Sequence, residues 1–169
     1  KLGFKDGKII QHNPDKKNMY FEFPSRPALT GGKKTTDASF EYVMEPLIKE
    51  LMEKGILFPR TILYADIKRL AQGHKMACKK LGIDELGEGQ LQNGELTSPV
   101  VQYHAAQGAE MKTAIVRAMK KKDGKVRLVL ATEAFGLGTD SEGVRQVIFV
   151  GPPNTIETLI QAGGRAGRD

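Results

Sequence analysis

The sequence predicts an α/β domain with a mainly parallel β-sheet covered by helices on both faces. Short apolar runs near residues 19, 61, 100, 126 and 146 alternate with helical stretches over most of the 169 residues, and strands spaced by helices pair in parallel. Each helical stretch carries an apolar stripe at i, i+3, i+4 spacing. Glycine and proline punctuate the junctions, at Gly55, Gly82, Asp123-Gly124 and Gly151-Pro152-Pro153.

Bulk composition narrows the class. A chain of this length suits one domain with one core, burying roughly 70% of the surface exposed when unfolded. Lys+Arg 26 against Asp+Glu 20 gives a net charge of +6. A mild basic excess favours polyanion contact, although ordinary globular domains share it. The single Cys78 excludes a disulfide framework and a CxxC metal site, and fits a reducing compartment. Apolar runs stay far below the ~20 residues of a membrane span, and no signal-peptide pattern opens the chain. The expectation is an intracellular domain with no membrane contact.

Residues 1–18 are polar and read as a linker. Met19-Tyr20-Phe21-Glu22-Phe23 is expected as a short strand stopped by Pro24. Residues 25–36 form a loop containing Gly31-Gly32-Lys33-Lys34-Thr35. It is not a P-loop, because Pro27 stands where the first glycine of that pattern belongs. From Asp37 to Lys54, Phe40, Val43, Met44, Leu47, Ile48, Leu51 and Met52 mark a helix, capped by Asp37, which Pro46 must kink or divide. Thr61 to Ala65 is the next buried strand. A helix from Asp66 to Leu81 follows, with Ile67, Leu70, Ala71, His74, Ala77, Cys78 and Leu81 inward.

Residues 83–99 are acidic, contain glycine and lack periodicity, so they read as an exposed insertion. Val100-Val101-Gln102-Tyr103 is a strand. The helix from about Gly108 to Lys122 turns Met111, Ala114, Ile115, Ala118 and Met119 inward and Lys112, Arg117, Lys120, Lys121 and Lys122 outward or to its C-terminal end. Val126 to Ala131 and Val147 to Val150 are the last strands. Asn154, with Glu157 three residues on, is expected to cap a closing helix.

Two segments carry a resemblance. Ala131-Thr132-Glu133-Ala134-Phe135-Gly136-Leu137-Gly138-Thr139-Asp140, then Gln161-Ala162-Gly163-Gly164-Arg165-Ala166-Gly167-Arg168-Asp169, resemble motifs V and VI of superfamily 2 helicases, most closely RecQ-like DNA helicases. His104-Ala105 after Tyr103 completes a Tyr-His-Ala seen there, with Ala106 in place of the usual glycine. Tyr64-Ala65-Asp66-Ile67-Lys68-Arg69 occupies the place of motif IV, but Ile67 replaces that family's serine. Coverage runs from about residue 19 to 169, strongly after Val100.

The resemblance implies a RecA-like three-layer lobe over residues 19–169, the helicase C-terminal domain, ending within motif VI. It implies the second motor lobe of an ATP-dependent 3′–5′ DNA helicase, inactive as an ATPase without the first. Arg168 would be the arginine finger, Arg165 a second γ-phosphate or relay arginine, and Gln161 part of the coupling network. A continuous closing helix would set these three at offsets 0, 4 and 7 from Gln161, on one face. Ile156, Leu159 and Ile160 would share the other face. Asp140 and Gly138, with Arg165 and Arg168, would approach the nucleotide. Thr132, Lys68, Arg69 and His104 would meet DNA, and Arg145 would touch the other lobe.

ATP and Mg²⁺ would be held mainly by that first lobe, since this sequence has no Walker lysine or Asp-Glu-x-His motif. Single-stranded or duplex DNA and the first RecA-like lobe are the implied partners. DNA repair or recombination, in the nucleus if eukaryotic, is the implied setting. An RNA helicase lobe shares the scaffold, but Gln161 stands where RNA-type motif VI tends to have His. A non-catalytic paralogue is the third reading, opposed by intact Arg165 and Arg168.

Overall fold

The computed structural model describes residues 20–22, 24, 34–84, 91–121, 123–136 and 143–166. The linker, the 25–33 loop, Gly138, Asp140 and Arg168 lie outside them.

Five consecutive buried residues, Arg60–Tyr64, form β1, and a strand covered on both faces is where such a run belongs. On one edge β1 pairs with β5 (Leu128–Ala131), and on the other with β6 (Val144–Phe149). β4 (Val100–Tyr103) adds to the far side of β5. All pairs are parallel, in the order β4-β5-β1-β6.

Alternation along each strand sorts the core into two halves. Leu63, Val100, Leu128 and Leu130 face α1 (Lys34–Lys54) and α2 (Ile67–Leu81). Ile62, Tyr64, Val101, Tyr103, Val129 and Ala131 face α3 (Ala109–Lys120) and α4 (Ile156–Gly163). Three layers result. Each fully buried Leu, Ile or Phe contributes about 1.5–3 kcal/mol relative to exposure, so the two clusters are the main source of stability.

Local chemistry sets the helix ends. Asp66 caps α2, its carboxylate accepting from the Lys68 and Arg69 amides, each at 3.1 Å. Gly82 closes the helix in the left-handed region and donates to the Cys78 carbonyl. α1 starts by Lys34, so Asp37 is inside it, and it runs unbroken through Pro46. Pro46 removes an amide that would bond the Tyr42 carbonyl. Both residues are exposed, so water can satisfy that carbonyl, while Phe40, Met44, Leu47 and Ile48 hold both sides in one cluster.

Three other expectations change. Of the expected 19–23 strand, the described residues 20–22 belong to no strand and Tyr20 is 89% exposed, while Met19 and Phe23 lie outside the described residues. The 83–99 insertion contains an antiparallel hairpin of β2 (Leu91–Gln92) and β3 (Glu95–Leu96). Asn93 and Gly94 both have positive φ, 51° and 75°, as a two-residue hairpin turn demands. Leu96 anchors it by inserting into the α3-side core. On α2, Ile67 and Ala71 are exposed while Gly73 is buried, so the inward stripe is rotated from the expected one. Gly73 lies under the Phe40 ring of α1, where a Cβ would stand 3.0 Å away.

The N-terminal edge of the sheet is held by arginine. Buried Arg60 donates to the Met119 carbonyl at 3.0 Å and to the Lys121 carbonyl, closing the C-terminal end of α3. Those carbonyls would otherwise lack intrahelical partners, and a cation suits that end of the dipole. Gly124 is needed beside this contact, since a Cβ there would lie 2.5 Å from the Ala118 carbonyl oxygen. Arg127 similarly donates to the Ile56 carbonyl in the turn after α1.

Arg60→Leu should lower folding stability by roughly 2–3 kcal/mol, the scale of charged hydrogen bonds lost with buried acceptors left behind. Urea denaturation followed by circular dichroism checks this.

Candidate nucleotide and nucleic-acid site

In a parallel sheet of this kind, ligands meet the loops at the carboxyl ends of the strands. The last paired row here is Tyr103, Ala131, Tyr64 and Phe149, in spatial order across β4, β5, β1 and β6. All four point to the α3/α4 side. Tyr64 and Phe149 stack with centroids 4.9 Å apart. Ala131 is the small member, lying between two tyrosines.

A bridge spans that gap. Phe135, in the 3₁₀ turn Glu133–Gly136 after β5, meets Tyr103 edge-on at 4.7 Å. Arg165, just beyond α4, places its guanidinium 5.8 Å from the Phe135 ring centroid. On its other side Arg165 acts on Tyr64. Burial pushes the Tyr64 hydroxyl above the ordinary 10.0, and the nearby Arg165 charge pulls the opposite way. A cation shielded by an aromatic face loses less on burial than a bare one, and Arg165 is only 5% exposed. Motif V, motif VI and the motif IV strand therefore meet through side chains, Tyr103–Phe135–Arg165–Tyr64.

A second link ties the same loops together. Glu133 accepts from the Asn154 amide at 3.2 Å and from its side-chain nitrogen at 2.8 Å. Asn154 is thus not the helix cap. Thr155 is, its hydroxyl accepting from the Thr158 amide at 3.1 Å.

α4 ends at Gly163, and Gly164, Arg165 and Ala166 continue as turns, their amides bonded to the Ile160, Ala162 and Gly163 carbonyls. Glycine is a poor helix residue, and the pair Gly163-Gly164 stops the helix before Arg165. The expected shared face of Gln161 and Arg165 is therefore not present, since Gln161 is exposed and Arg165 buried. On α4, Ile156 is 70% and Ile160 62% exposed, and Leu159 is half-buried. Ala162 is the residue α4 buries.

The residues expected at DNA fall along the same edge. Thr132 follows β5, half-buried, and its amide donates to the Tyr103 carbonyl at 3.0 Å. His104 follows β4, half-buried, and its Nδ1 has no hydrogen-bond partner among the described residues. Lys68 is exposed in the first turn of α2. Arg69, beside it, is engaged with Asp66 at 2.8 Å. Arg145 does not join them, since it lies in β6 next to Val144, the partner of Arg60 at the opposite edge of the sheet. Tyr64 and Phe135 were not among the expected site residues. Their signal in the sequence is an aromatic at a strand end and another three residues beyond Thr132.

As for cofactors, described residues at this edge offer cations and amides suited to phosphate. No group of three or more His, Cys, Asp or Glu among them could hold a metal. Among the described residues no helix is long and apolar enough to cross a membrane.

A three-layer lobe with the motif V and motif VI segments joined at the ligand edge has the fold of a RecA-like helicase domain. The fold is shared with domain 2 of the DEAD-box helicase Mss116p bound to an RNA duplex, at a TM-score of 0.54 and 19% identity, over 79% of this chain and 46% of that one. The chain belongs to the helicase conserved C-terminal domain family, whose model matches residues 45–169. Within it the chain is RecQ-like. It is 43% identical over 67 residues to human ATP-dependent DNA helicase Q4, covering 40% of this chain and 5% of that protein. Over 67 residues it is also 39% identical to the ATP-dependent DNA helicase RecQ of Pasteurella multocida, covering 40% of this chain and 10% of that protein. The chain thus matches a small part of either relative's length.

Two outcomes check the bridge. Ala131→Leu should overfill the gap between the tyrosines, lowering stability by about 1–3 kcal/mol, whereas Gln161→Ala should be near neutral in the same thermal melts. The second concerns pH. A hydroxyl whose proton is held more tightly folded than unfolded stabilises the fold below the unfolded value and loses that contribution as pH rises through the folded one. Stability should therefore fall as pH climbs above the ordinary tyrosine value of 10.0, and Tyr64→Phe should flatten that part of the denaturation profile.

Proposed function

We propose that this chain is the second motor lobe of an ATP-dependent DNA helicase of the RecQ type, moving 3′ to 5′. The observation that carries the reading is the bridge itself: Phe135 of motif V under Arg165 of motif VI, one residue row above the sheet. A motor must link its nucleotide side to its nucleic-acid side, and here one set of contacts touches both candidate sides.

In this reading residues 1–18 link to a first lobe, and residues 19–169 form the second. ATP with Mg²⁺ is gripped mainly by that first lobe. Arg168 reaches across as the arginine finger when the cleft closes, because a guanidinium is always charged and forks toward phosphate oxygens. Arg165 is a relay, its buried charge held by Phe135 and facing Tyr64. Gln161, exposed on α4, is free to hydrogen-bond within the cleft. Asp140 and Gly138 approach the nucleotide. Thr132, Lys68 and His104 contact phosphates of single-stranded DNA, and Arg69 contributes less because Asp66 holds it. A nuclear role in DNA repair or recombination follows for a eukaryotic protein.

The test is nucleotide turnover in the full-length protein. Arg168→Ala should lower DNA-stimulated ATPase turnover about 10³-fold or more with little change in ATP affinity, and Arg168→Lys should rescue little, as with other arginine fingers. The isolated chain should bind ATP·Mg²⁺ weakly or not at all by titration calorimetry. Near-normal turnover for Arg168→Ala moves the finger role to Arg165, and tight ATP binding by the isolated chain ends the two-lobe reading.

A further inference from the structure

β4 lies at one end of the strand order, so the row of strand ends finishes at Tyr103 and His104. Beside it runs a shallow groove of about 380 Å³, lined by Tyr103, Lys112, Thr113, Val116, Arg117 and Lys120. Tyr103 and Val116 supply its apolar walls. At about 100° per residue the three cations fall on one side of α3, and the eight steps from Lys112 to Lys120 rise about 12 Å. That length accommodates about two to four phosphates of a nucleic-acid strand.

The charges there are only partly offset by the nearby acid. Arg117 and Lys120 are exposed and make no ion pair among the described residues. Lys112 donates to the Ala105 carbonyl, which fixes its ammonium at the His104 end of the groove. The nearby acid, Glu95 of the hairpin, is paired with Lys121 instead. Lys121 first, then Lys125 and Arg117, hold its carboxyl below the usual range. Positive potential thus dominates at this end of α3.

We propose that a DNA strand crossing the sheet at Thr132 and His104 continues over the β4 edge into this groove, its phosphates held by Lys112, Arg117 and Lys120. The groove extends the motor's track and rests on the reading of the lobe as a DNA-binding element. No exposed ring or amide faces the strand from the lining residues, so the contact is to backbone and indifferent to sequence.

The experiment is fluorescence anisotropy on the full-length protein across a salt series, with oligothymidylates of about 6 and about 20 nucleotides. The variant is Arg117→Gln with Lys120→Gln, both exposed. The matched control is Lys75→Gln with Lys79→Gln, exposed on α2 across the sheet. The groove pair should weaken binding of the long oligomer about five-fold or more and reduce its salt slope by about 1.4, two phosphate contacts at roughly 0.7 each. The short oligomer should change less than about two-fold, as should both oligomers with the control pair. Equal losses from the groove and control pairs overturn the proposal, because only net charge would then matter. Equal losses for both lengths also overturn it, placing these residues in no extension of the track. Unchanged DNA binding with lost binding of poly-glutamate assigns the groove to acidic peptides and overturns it too. Thr132→Ala separates the two readings. If it weakens the short oligomer while the groove pair changes nothing, the groove alone is wrong. If wild-type binding is itself insensitive to salt, the DNA reading fails, and the groove with it.

Discussion

The placement of Arg165 is the constraint on which the ligand edge depends. A guanidinium taken out of water is costly unless its surroundings compensate. Here they do so from both sides, with the Phe135 ring below and the Tyr64 hydroxyl nearby. The arrangement works because Ala131 is small. A larger side chain in that row would close the space between Tyr103 and Tyr64 that the bridge spans. One alanine in the middle strand therefore decides whether two loops from distant parts of the chain can lock together.

The two edges of the sheet are built for different purposes. At the N-terminal edge, Arg60 and Arg127 spend their charge on helix-terminal and turn carbonyls, and Gly124 allows the chain to close over them. These contacts stabilise the fold. At the C-terminal edge, cations stay partly uncommitted. Lys68 is exposed, His104 keeps a ring nitrogen without a partner among the described residues, and Lys112 opens a groove that runs from this edge along α3. Charge satisfied by backbone at one edge and left available at the other suits the phosphate contacts proposed for this lobe.

The Asn154–Glu133 pair adds a second tie between the motif V turn and the segment leading into α4. With it, the turn cannot shift without moving the start of that helix. Packed contacts of this kind favour discrete rearrangements over gradual ones. In the proposed motor, coupling between nucleotide and nucleic acid would pass through these few residues.

The sequence by itself determined the alternating scaffold, the strand cores and most helix ends. Those follow from short-range periodicity and capping, as at Asp66 and Gly82, and local rules suffice. The Asn93-Gly94 hairpin was missed, because its acidic, aperiodic surroundings read as an exposed insertion, although its turn does demand two residues tolerant of positive φ. Motifs V and VI were readable as residue strings. What only the tertiary structure decided is how those strings meet. Periodicity would carry the last helix on to Arg165 and share its face with Gln161, but Gly163-Gly164 ends it and the arginine turns inward. Whether a buried charge finds an aromatic face depends on which strands are neighbours, and strand order is a long-range property that no local pattern encodes. The same holds for Arg145, polar and near a motif in sequence, whose place at the N-terminal edge is set by the direction in which β6 runs.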